Sequence, residues 1–325
     1  TPPPLSKRRC RGYGMDHSSR PKAIMSRPLA TALLLICTTL WGFAFIAQKS
    51  AMDSMEPLTF AGLRYILGGV LVLPLALRER RRRPAPLSRS QWGLILAVST
   101  VFFFGSWLQQ AGLTLTTVTN SGFLTGLYVF FVPVLGYVLF RTRPHPIIYV
   151  CVPLALLGTY YLNGGGLASF NAGDGLIVGG AVFWALHVTL LGRAANSTGL
   201  PIFVSAVSFL LAGFAALALA FVLETPRLDG IAAGWLEIAY AGVLSTAVAF
   251  TLQAVGQQYV PPANAAIILA AESLFAALGG DLLLGERLPP AGYAGAALIF
   301  MAILAVEAVP PLWARRQQHV ARPTN

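Results

Sequence analysis

The chain has 325 residues, of which 56% are hydrophobic and 11% are charged, and its formal net charge is +11. A soluble protein of this length could not bury so much apolar surface, so the composition excludes the soluble classes and indicates a polytopic membrane protein. Nucleic-acid binding is not predicted, because the basic residues are concentrated in alternate loops between the apolar segments. The three cysteines show neither disulfide nor metal-ligand spacing, and no metal or cofactor is expected.

The N-terminal tail, residues 1–28, is polar, basic and rich in proline, which predicts disorder. Its first residue is not Met, and Met15 and Met25 lie just before the first apolar segment. Residues 1–24 are therefore a candidate for a mis-assigned start. No cleavable signal peptide is expected, because the first apolar run has full helix length and leads into another.

Ten apolar segments follow, and roughly 20 residues suffice to cross the hydrocarbon core as a helix. The predicted fold is all-α integral membrane, built as a first repeat at 29–162 and a second at 173–309, with a C-terminal tail at 310–325. The predicted spans are Leu29 to Gln48, Pro57 to Leu77, Gln91 to Leu113, Thr117 to Phe140, Pro146 to Leu162, Gly173 to Gly192, Pro201 to Leu223, Ala233 to Val255, Ala263 to Leu284 and Ala291 to Val309.

The two halves repeat one pattern. An offset of 143 residues carries Trp41 onto Trp184, and after Gln110 the offset becomes 144, which carries Asn120 onto Asn264. Five spans in each half is an odd number, so the second half must enter the membrane from the opposite face. Inverted repeats of this kind are typical of transporters, in which two similar halves rock around a site near the midplane.

The basic residues predict the orientation. They concentrate in the N-terminal tail, in the loop around Arg80 to Arg83, near Arg141, Arg143 and Arg193, and after the last span. The other set of loops contains only Lys49, Arg227 and Arg287. The positive-inside rule therefore places both termini in the cytoplasm. Arg80 to Arg83 could also contact anionic lipid, although a topology anchor is the favoured interpretation.

Charged residues inside the spans are costly, so they are candidates for function. Arg64 lies about two turns from one end of the second span. It could bind substrate, or it could pair with a carboxylate or cap helix carbonyls as a structural residue. Glu272 and Asp281 share the ninth span on opposite faces, and Glu272, near the middle, is the better candidate for a proton- or substrate-binding carboxylate. The alternative is that the small residues on the face of Glu272 pack closely against a neighbouring helix, to which the carboxyl donates or accepts a hydrogen bond.

Trp41 and Trp184 lie well inside their spans, whereas membrane tryptophans usually gather at the interfaces. Helical spacing places Gln48 on the face of Trp41 and His187 on the face of Trp184, so all four are candidates for a substrate cavity. Simple packing of the two indoles is an equally weighted alternative. A lone His could carry a proton but could not build a metal site.

Asn120 and Asn264 begin the fourth and ninth spans, where helix N-capping is the simpler interpretation. The repeat places them on opposite membrane faces, so each is also a candidate for a gate.

Four segments resemble the EamA-type branch of the drug/metabolite transporter superfamily. They are LWGFAF at Leu40 to Phe45, GLRYILGGVLVLPLAL at Gly62 to Leu77, GDGLIVGGAVFWALHVTLLGR at Gly173 to Arg193 and GGDLLLGERLPPAGYAGAALIF at Gly279 to Phe300. The resemblance implies two inverted five-helix bundles, a central cavity formed by the first four helices of each, and peripheral fifth and tenth helices linked to homodimers. Members mostly export amino acids, other small metabolites or toxic compounds.

The sequence departs from the family pattern at one point that concerns the cavity. The ninth helix of the family often carries a Glu-Pro pair, and here Ser273 follows Glu272, which predicts a softened kink.

The functional expectation is therefore a secondary transporter of a small organic metabolite or amino acid in the cytoplasmic membrane, working by alternating access. The expectation of export rests on the resemblance alone. Two modes of transport are left open, exchange for protons and downhill movement without coupling. The sequence contains no nucleotide-binding motif. It also contains no group of residues typical of a catalytic site, so an enzyme is not predicted. The alternatives are a channel or lipid scramblase, and a nucleotide-sugar carrier of the same superfamily.

Overall fold

The computed structural model describes residues 25–83, 85–162, 171–284 and 290–320. The predictions for residues 1–24, for the loop at 285–289 and for the last five residues lie outside this part of the chain. Within it helices joined by short loops make up the fold and no strand is present, and the all-α membrane fold with two inverted repeats is confirmed. Among the described residues nine helices are long and apolar enough to cross a membrane, and the shorter apolar helix Ile148–Leu162 occupies the place of the fifth predicted span.

We number the ten spanning elements in chain order. The fourth and ninth are each broken into two segments, labelled a and b. The elements are α1 Arg27–Ala51, α2 Pro57–Arg82, α3 Arg89–Leu113, α4a Val118–Gly126, α4b Tyr128–Phe140, α5 Ile148–Leu162, α6 Ala172–Thr198, α7 Pro201–Leu223, α8 Trp235–Gly256, α9a Pro262–Leu269, α9b Ala271–Leu284 and α10 Pro290–Val320.

The breaks in α4 and α9 occur at matching places of the two repeats. In α4 the helical bonding is interrupted at Leu127, and in α9 at Ala270. The second break is present although Ser273 stands where the family often has proline, and the softened kink stays a prediction. Each break places the first turn of a half-helix at the interior of the bundle, where Tyr128 and Glu272 lie, and the N-terminal end of a helix carries partial positive charge.

The α2 and α7 helices form an antiparallel pair between the repeats, and each caps the other. The Glu224 carboxylate, at the end of α7, accepts bonds of 2.7 and 2.8 Å from the backbone N–H groups of Leu58 and Thr59 at the start of α2. At the other end, the Glu79 carboxylate of α2 accepts a 2.8 Å bond from the backbone N–H of Phe203 in α7. These carboxylates satisfy helix N-terminal donors and so fix the two helices end to end.

Close packing of α1 against α9b positions the middle of the bundle. A Cβ atom on Gly42 would come within 2.4 Å of Phe275 Cβ and 2.7 Å of the Ala276 backbone nitrogen. Only glycine permits this crossing, which brings the neighbouring Trp41 and Glu272 towards the same interior space.

Helix α8 departs from regular α geometry between Tyr240 and Phe250, where the bonding is that of a π-helix. The Thr246 hydroxyl donates to the Ala241 carbonyl at 2.7 Å within this segment. Its counterpart in the first repeat, α3, is a continuous α-helix. Wide turns of this kind are often found at functional sites, and Phe250, at the end of this one, points into the central cavity.

Candidate functional site

A cavity of about 510 Å³, partly open to its surroundings, lies between the two repeats. Helices of both halves contribute to it, and all six predicted cavity residues line it. The structure thus brings Arg64, Glu272 and the two tryptophans together although they are far apart in sequence. The lining residues are Trp41, Phe45, Gln48, Arg64, Tyr65, Gln109, Thr125, Tyr128, Trp184, His187, Val188, Ser245, Phe250, Gln253, Leu269 and Glu272.

Arg64 is 3% exposed and has neither of the structural partners expected for it. Its guanidinium donates to the Tyr65 hydroxyl at 2.7 Å and to the Ser106 hydroxyl at 3.1 Å, and those two hydroxyls bond each other. The cation also lies 4.6 Å from the Tyr65 ring centroid and 5.1 Å from that of Phe60. Neutral groups therefore hold the guanidinium, and its Nε–H has no partner.

Glu272 is the second residue of α9b and is 5% exposed. The preceding helix break turns the N-terminal end of α9b inward, and this end favours a negative charge. The carboxyl lies beside the Tyr128 hydroxyl, the matching position of the first repeat. Neither that hydroxyl nor Glu272 Oε1 makes a hydrogen bond of ordinary geometry. Apart from this contact with each other, both groups are open to a ligand.

The two buried ionisable side chains, Arg64 and Glu272, do not form an ion pair with each other. Among the described residues the ion pairs are Arg27–Glu307 at 3.1 Å and Arg227–Asp229 at 2.7 Å. Arg64 and Glu272 thus face one cavity without a charged partner of opposite sign in contact with either. Burial of an ionisable group without a partner is costly, so both side chains are candidates for contact with a ligand.

The apolar wall of the cavity is centred on Phe250. Its ring stacks on Trp184 at a centroid distance of 5.7 Å and lies 4.5 Å from the Trp41 ring. The two indole N–H groups are bonded differently, since Trp41 donates to the Ser245 carbonyl at 3.1 Å and Trp184 to Gln109 Oε1 at 2.7 Å. With their polar ends satisfied, both rings offer flat apolar faces.

Several further polar atoms of the lining are buried without a partner. They are the Thr125 hydroxyl, His187 Nδ1 and Gln253 Oε1. Buried polar groups are normally hydrogen-bonded, so a group of them around one cavity is typical of a site for a polar ligand or for water. In the described part of the chain no three His, Cys, Asp or Glu residues are grouped as metal ligands.

The helix-capping interpretation of Asn120 and Asn264 is wrong. Thr117 caps α4a, accepting from the Asn120 backbone N–H, and Pro261 occupies the cap position of α9a. The Asn120 side chain instead donates 2.5 Å and 2.9 Å bonds to Asp174 and to the Thr116 hydroxyl. The Asn264 side chain donates to the Val306 carbonyl of α10 at 3.3 Å. Neither Asn lines the cavity.

Comparison with known proteins identifies the family. The model of the EamA-like transporter family matches residues 29–164 and again residues 171–307. The chain belongs to that family. This confirms the resemblance drawn from the four sequence segments, and membership together with the apolar helices establishes a multi-pass membrane transporter.

Relatives of the EamA-like chain match most of its length. An uncharacterized transporter of Archaeoglobus fulgidus is 30% identical over 277 residues, which cover 84% of each chain. The uncharacterized inner membrane transporter YedA of Escherichia coli is 25% identical over 290 residues, covering 86% of this chain and 90% of its own. A solved crystal structure with 19% identity superimposes with a TM-score of 0.72 over 90% of this chain and 99% of its own, and shows the fold.

Sequence reasoning missed several cavity residues of this EamA-like protein. Tyr128 could have been found, because an offset of 144 carries it onto Glu272. Tyr65 adjoins Arg64 but carries no pattern of its own, and Phe250 looks like any apolar helix residue. Its inward position depends on the π-helical turns of α8, which the sequence did not predict.

Proposed function

We propose that this EamA-like protein is a secondary transporter of small zwitterionic, amphipathic metabolites of the amino-acid type, which it exports by alternating access. The observation that carries the proposal is the pair of buried ionisable side chains, Arg64 and Glu272, which face one aromatic cavity and have no ion-pair partner among the described residues.

Arg64 is suited to bind the carboxylate of such a substrate. A guanidinium presents several donors in a planar fork, and bonds between ionised groups are roughly twice as strong as neutral ones. Tyr65 and Ser106 orient the fork without neutralising it, because both are uncharged. The unpartnered Nε–H remains free for a carboxylate oxygen.

Glu272 is suited to bind the ammonium group. Its Oε1 atom has no hydrogen-bond partner, and the adjacent Tyr128 hydroxyl offers a second oxygen. The apolar part of the substrate would then lie against Trp41, Trp184 and Phe250. Because one carboxylate cannot hold both an ammonium group and a proton, exchange of substrate for protons at Glu272 would couple export to the proton gradient.

The other candidate functions fit the site less well. A nucleotide-sugar carrier needs several basic side chains for a diphosphate, and Arg64 is the one Arg or Lys in the cavity lining. A channel would conduct without saturation, whereas charges of both signs held among buried aromatic rings indicate a binding step.

The proposed location is the cytoplasmic membrane with both termini in the cytoplasm. A single-cysteine scan should give labelling from outside at alternate loops only. Labelling of the Arg80 to Arg83 loop by a membrane-impermeant reagent in intact cells would contradict this orientation.

The substrate class is tested by counterflow in proteoliposomes loaded with a mixed amino-acid pool and scored by mass spectrometry. Competitors should include each transported amino acid, its N-acetyl derivative and its methyl ester. The free amino acid should compete, and both derivatives should compete about tenfold or more weakly, because each lacks one charge. Equal competition by the derivatives would exclude zwitterion recognition, and flux without saturation would favour a channel.

A further inference from the structure

A polar network closes the end of the bundle at which α1 ends, which we call the far mouth. Asp174, in the first turn of α6, is 3% exposed. Its carboxylate accepts bonds from the Thr116 hydroxyl at 2.8 Å, from the Asn120 amide at 2.5 Å and from the Asn171 backbone N–H at 3.0 Å. It therefore ties the loop after α3 and the start of α4a to the second repeat.

Lys49 joins the same loop from the other side. Its ammonium, at the end of α1, donates to the Leu113 carbonyl at 2.8 Å and the Thr116 carbonyl at 3.1 Å. The Thr116 carbonyl thus accepts a hydrogen bond from the Lys49 ammonium, and the Thr116 hydroxyl donates one to the Asp174 carboxylate. The four residues Lys49, Thr116, Asn120 and Asp174, which we call the latch, connect α1, α4a and α6 across the far mouth.

Polar atoms without partners lead from the cavity to the latch. The Thr125 hydroxyl lines the cavity, and the Ser121 hydroxyl, one turn nearer the far mouth, is also buried and unpartnered. Asn120 of the latch adjoins Ser121 in sequence, at about 100° around the helix. Polar groups of α4a therefore lie between the cavity and the closed network, and buried hydrogen-bonding groups without partners are typical of functional positions within a membrane.

The matching positions at the other mouth do not form a latch. The sequence offsets carry Lys49 onto Gly192, Thr116 onto Val260 and Asp174 onto Thr31. Thr31 instead bonds Glu307 at 3.1 Å. Glu307 also pairs with Arg27 at 3.1 Å, so the other mouth has a charged network of its own, formed between α1 and α10. The arrangement of Lys49, Thr116 and Asp174, which joins the loop after α3 to α6, has no counterpart at the matching positions of the other mouth.

We propose that the latch is the gate of the far mouth, and that it holds this mouth closed while the cavity loads from the end that carries the termini. Breaking it shifts the population towards conformations open at the far mouth. The proposal rests on the proposed transport function. Opening of the gate is measured without any substrate. With the termini in the cytoplasm the latch lies at the external mouth, which suits export.

The test is the labelling rate of a cysteine placed on the path, Ser121→Cys, by a membrane-impermeant maleimide. Cys10 and Cys151 are replaced by Ala, and the native Cys37 stays as an internal control because it is buried against the Ala249 carbonyl. In separate variants Asp174→Asn and Lys49→Gln break the latch. Thr31→Ala, at the matching position of the other mouth, is the matched control.

Both latch variants should raise the labelling rate at position 121 by about fivefold or more, while Cys37 stays unlabelled and Thr31→Ala leaves the rate unchanged. An unchanged rate in Lys49→Gln would overturn the proposal, and that variant decides if Asp174→Asn fails to fold. Equal rises at Cys37 and at position 121 would overturn it too, because the network would then be general structural support. Since no substrate is added, failure of amino-acid transport would leave this result standing.

Discussion

The broken helices α4 and α9 have matching geometry and different chemistry. Both turn the start of a half-helix into the cavity, but the first presents the Tyr128 hydroxyl where the second presents the Glu272 carboxylate. Arg64 extends the difference, since Val207 or Ser208 stands at its matching place. In the proposed mechanism the repeated architecture supplies two equivalent halves for rocking, and the differences at these positions supply one site for each charge of the substrate.

The largest effect should come from removing the cation of the first repeat. Arg64→Ala should raise the half-saturation concentration about 10- to 100-fold, because bonds between charged groups contribute about 1.5–3 kcal/mol. Arg64→Lys should recover part of the loss, since it restores a point charge without the fork. Uptake and abundance are measured together in proteoliposomes, and wild-type uptake by Arg64→Ala would remove this residue from the site.

Glu272→Gln tests the carboxylate of the second repeat, with Tyr128→Phe as the matched change in the first. The amide cannot exchange a proton, so net flux should lose its pH dependence while substrate-for-substrate exchange continues. Tyr128→Phe should keep the pH dependence and weaken binding by about tenfold, the lower end of the range expected for a hydrogen bond to a charged group. Paired flux and exchange assays across pH distinguish the two. A pH response retained in Glu272→Gln would move the proton role to His187 or leave transport uncoupled.

The two indole N–H groups have different hydrogen-bond acceptors, and Gln109→Leu removes only the acceptor of Trp184. Trp184 loses its side-chain acceptor, whereas Trp41 keeps the Ser245 carbonyl. Leaving a buried donor unsatisfied costs about 1–3 kcal/mol, and rotation of Trp184 to find another partner should raise the half-saturation concentration about threefold to tenfold. Tryptophan fluorescence of single-Trp variants is the structural readout. If Trp184 emission stays unchanged, Gln109 does not position that ring.

The smallest effect on transport is expected at the caps of α2 and α7. Glu224→Gln and Glu79→Gln should each lower thermal stability by an amount corresponding to about 0.5–2 kcal/mol, the usual range for loss of a helix cap. Because neither carboxylate lines the cavity, the half-saturation concentration should not change. A change in substrate affinity without a change in melting temperature would show that the caps act on the site instead.

Cavity membership of Arg64, Glu272, Trp41 and Trp184 was predictable because each is an unusual residue for its depth in the membrane. Prediction from the sequence failed where the role of a residue depended on its tertiary hydrogen-bond partners. Asn120 looks like a helix cap in sequence, yet its amide bonds Asp174, a residue 54 positions away that the sequence gives no reason to pair with it. Glu79 and Glu224 likewise gain their roles only when α2 and α7 lie side by side.

The sequence by itself determined the membrane class, the ten spans, the inverted repeat and the family, because hydropathy and period are properties of the chain read in order. Tertiary structure alone decided how the charges are used. Arg64 is held by neutral hydroxyls instead of a carboxylate, Glu272 lies at the start of a half-helix, and Lys49 and Asp174 meet through Thr116. Such outcomes depend on which helix faces cross in three dimensions, and a one-dimensional pattern contains no information on that crossing.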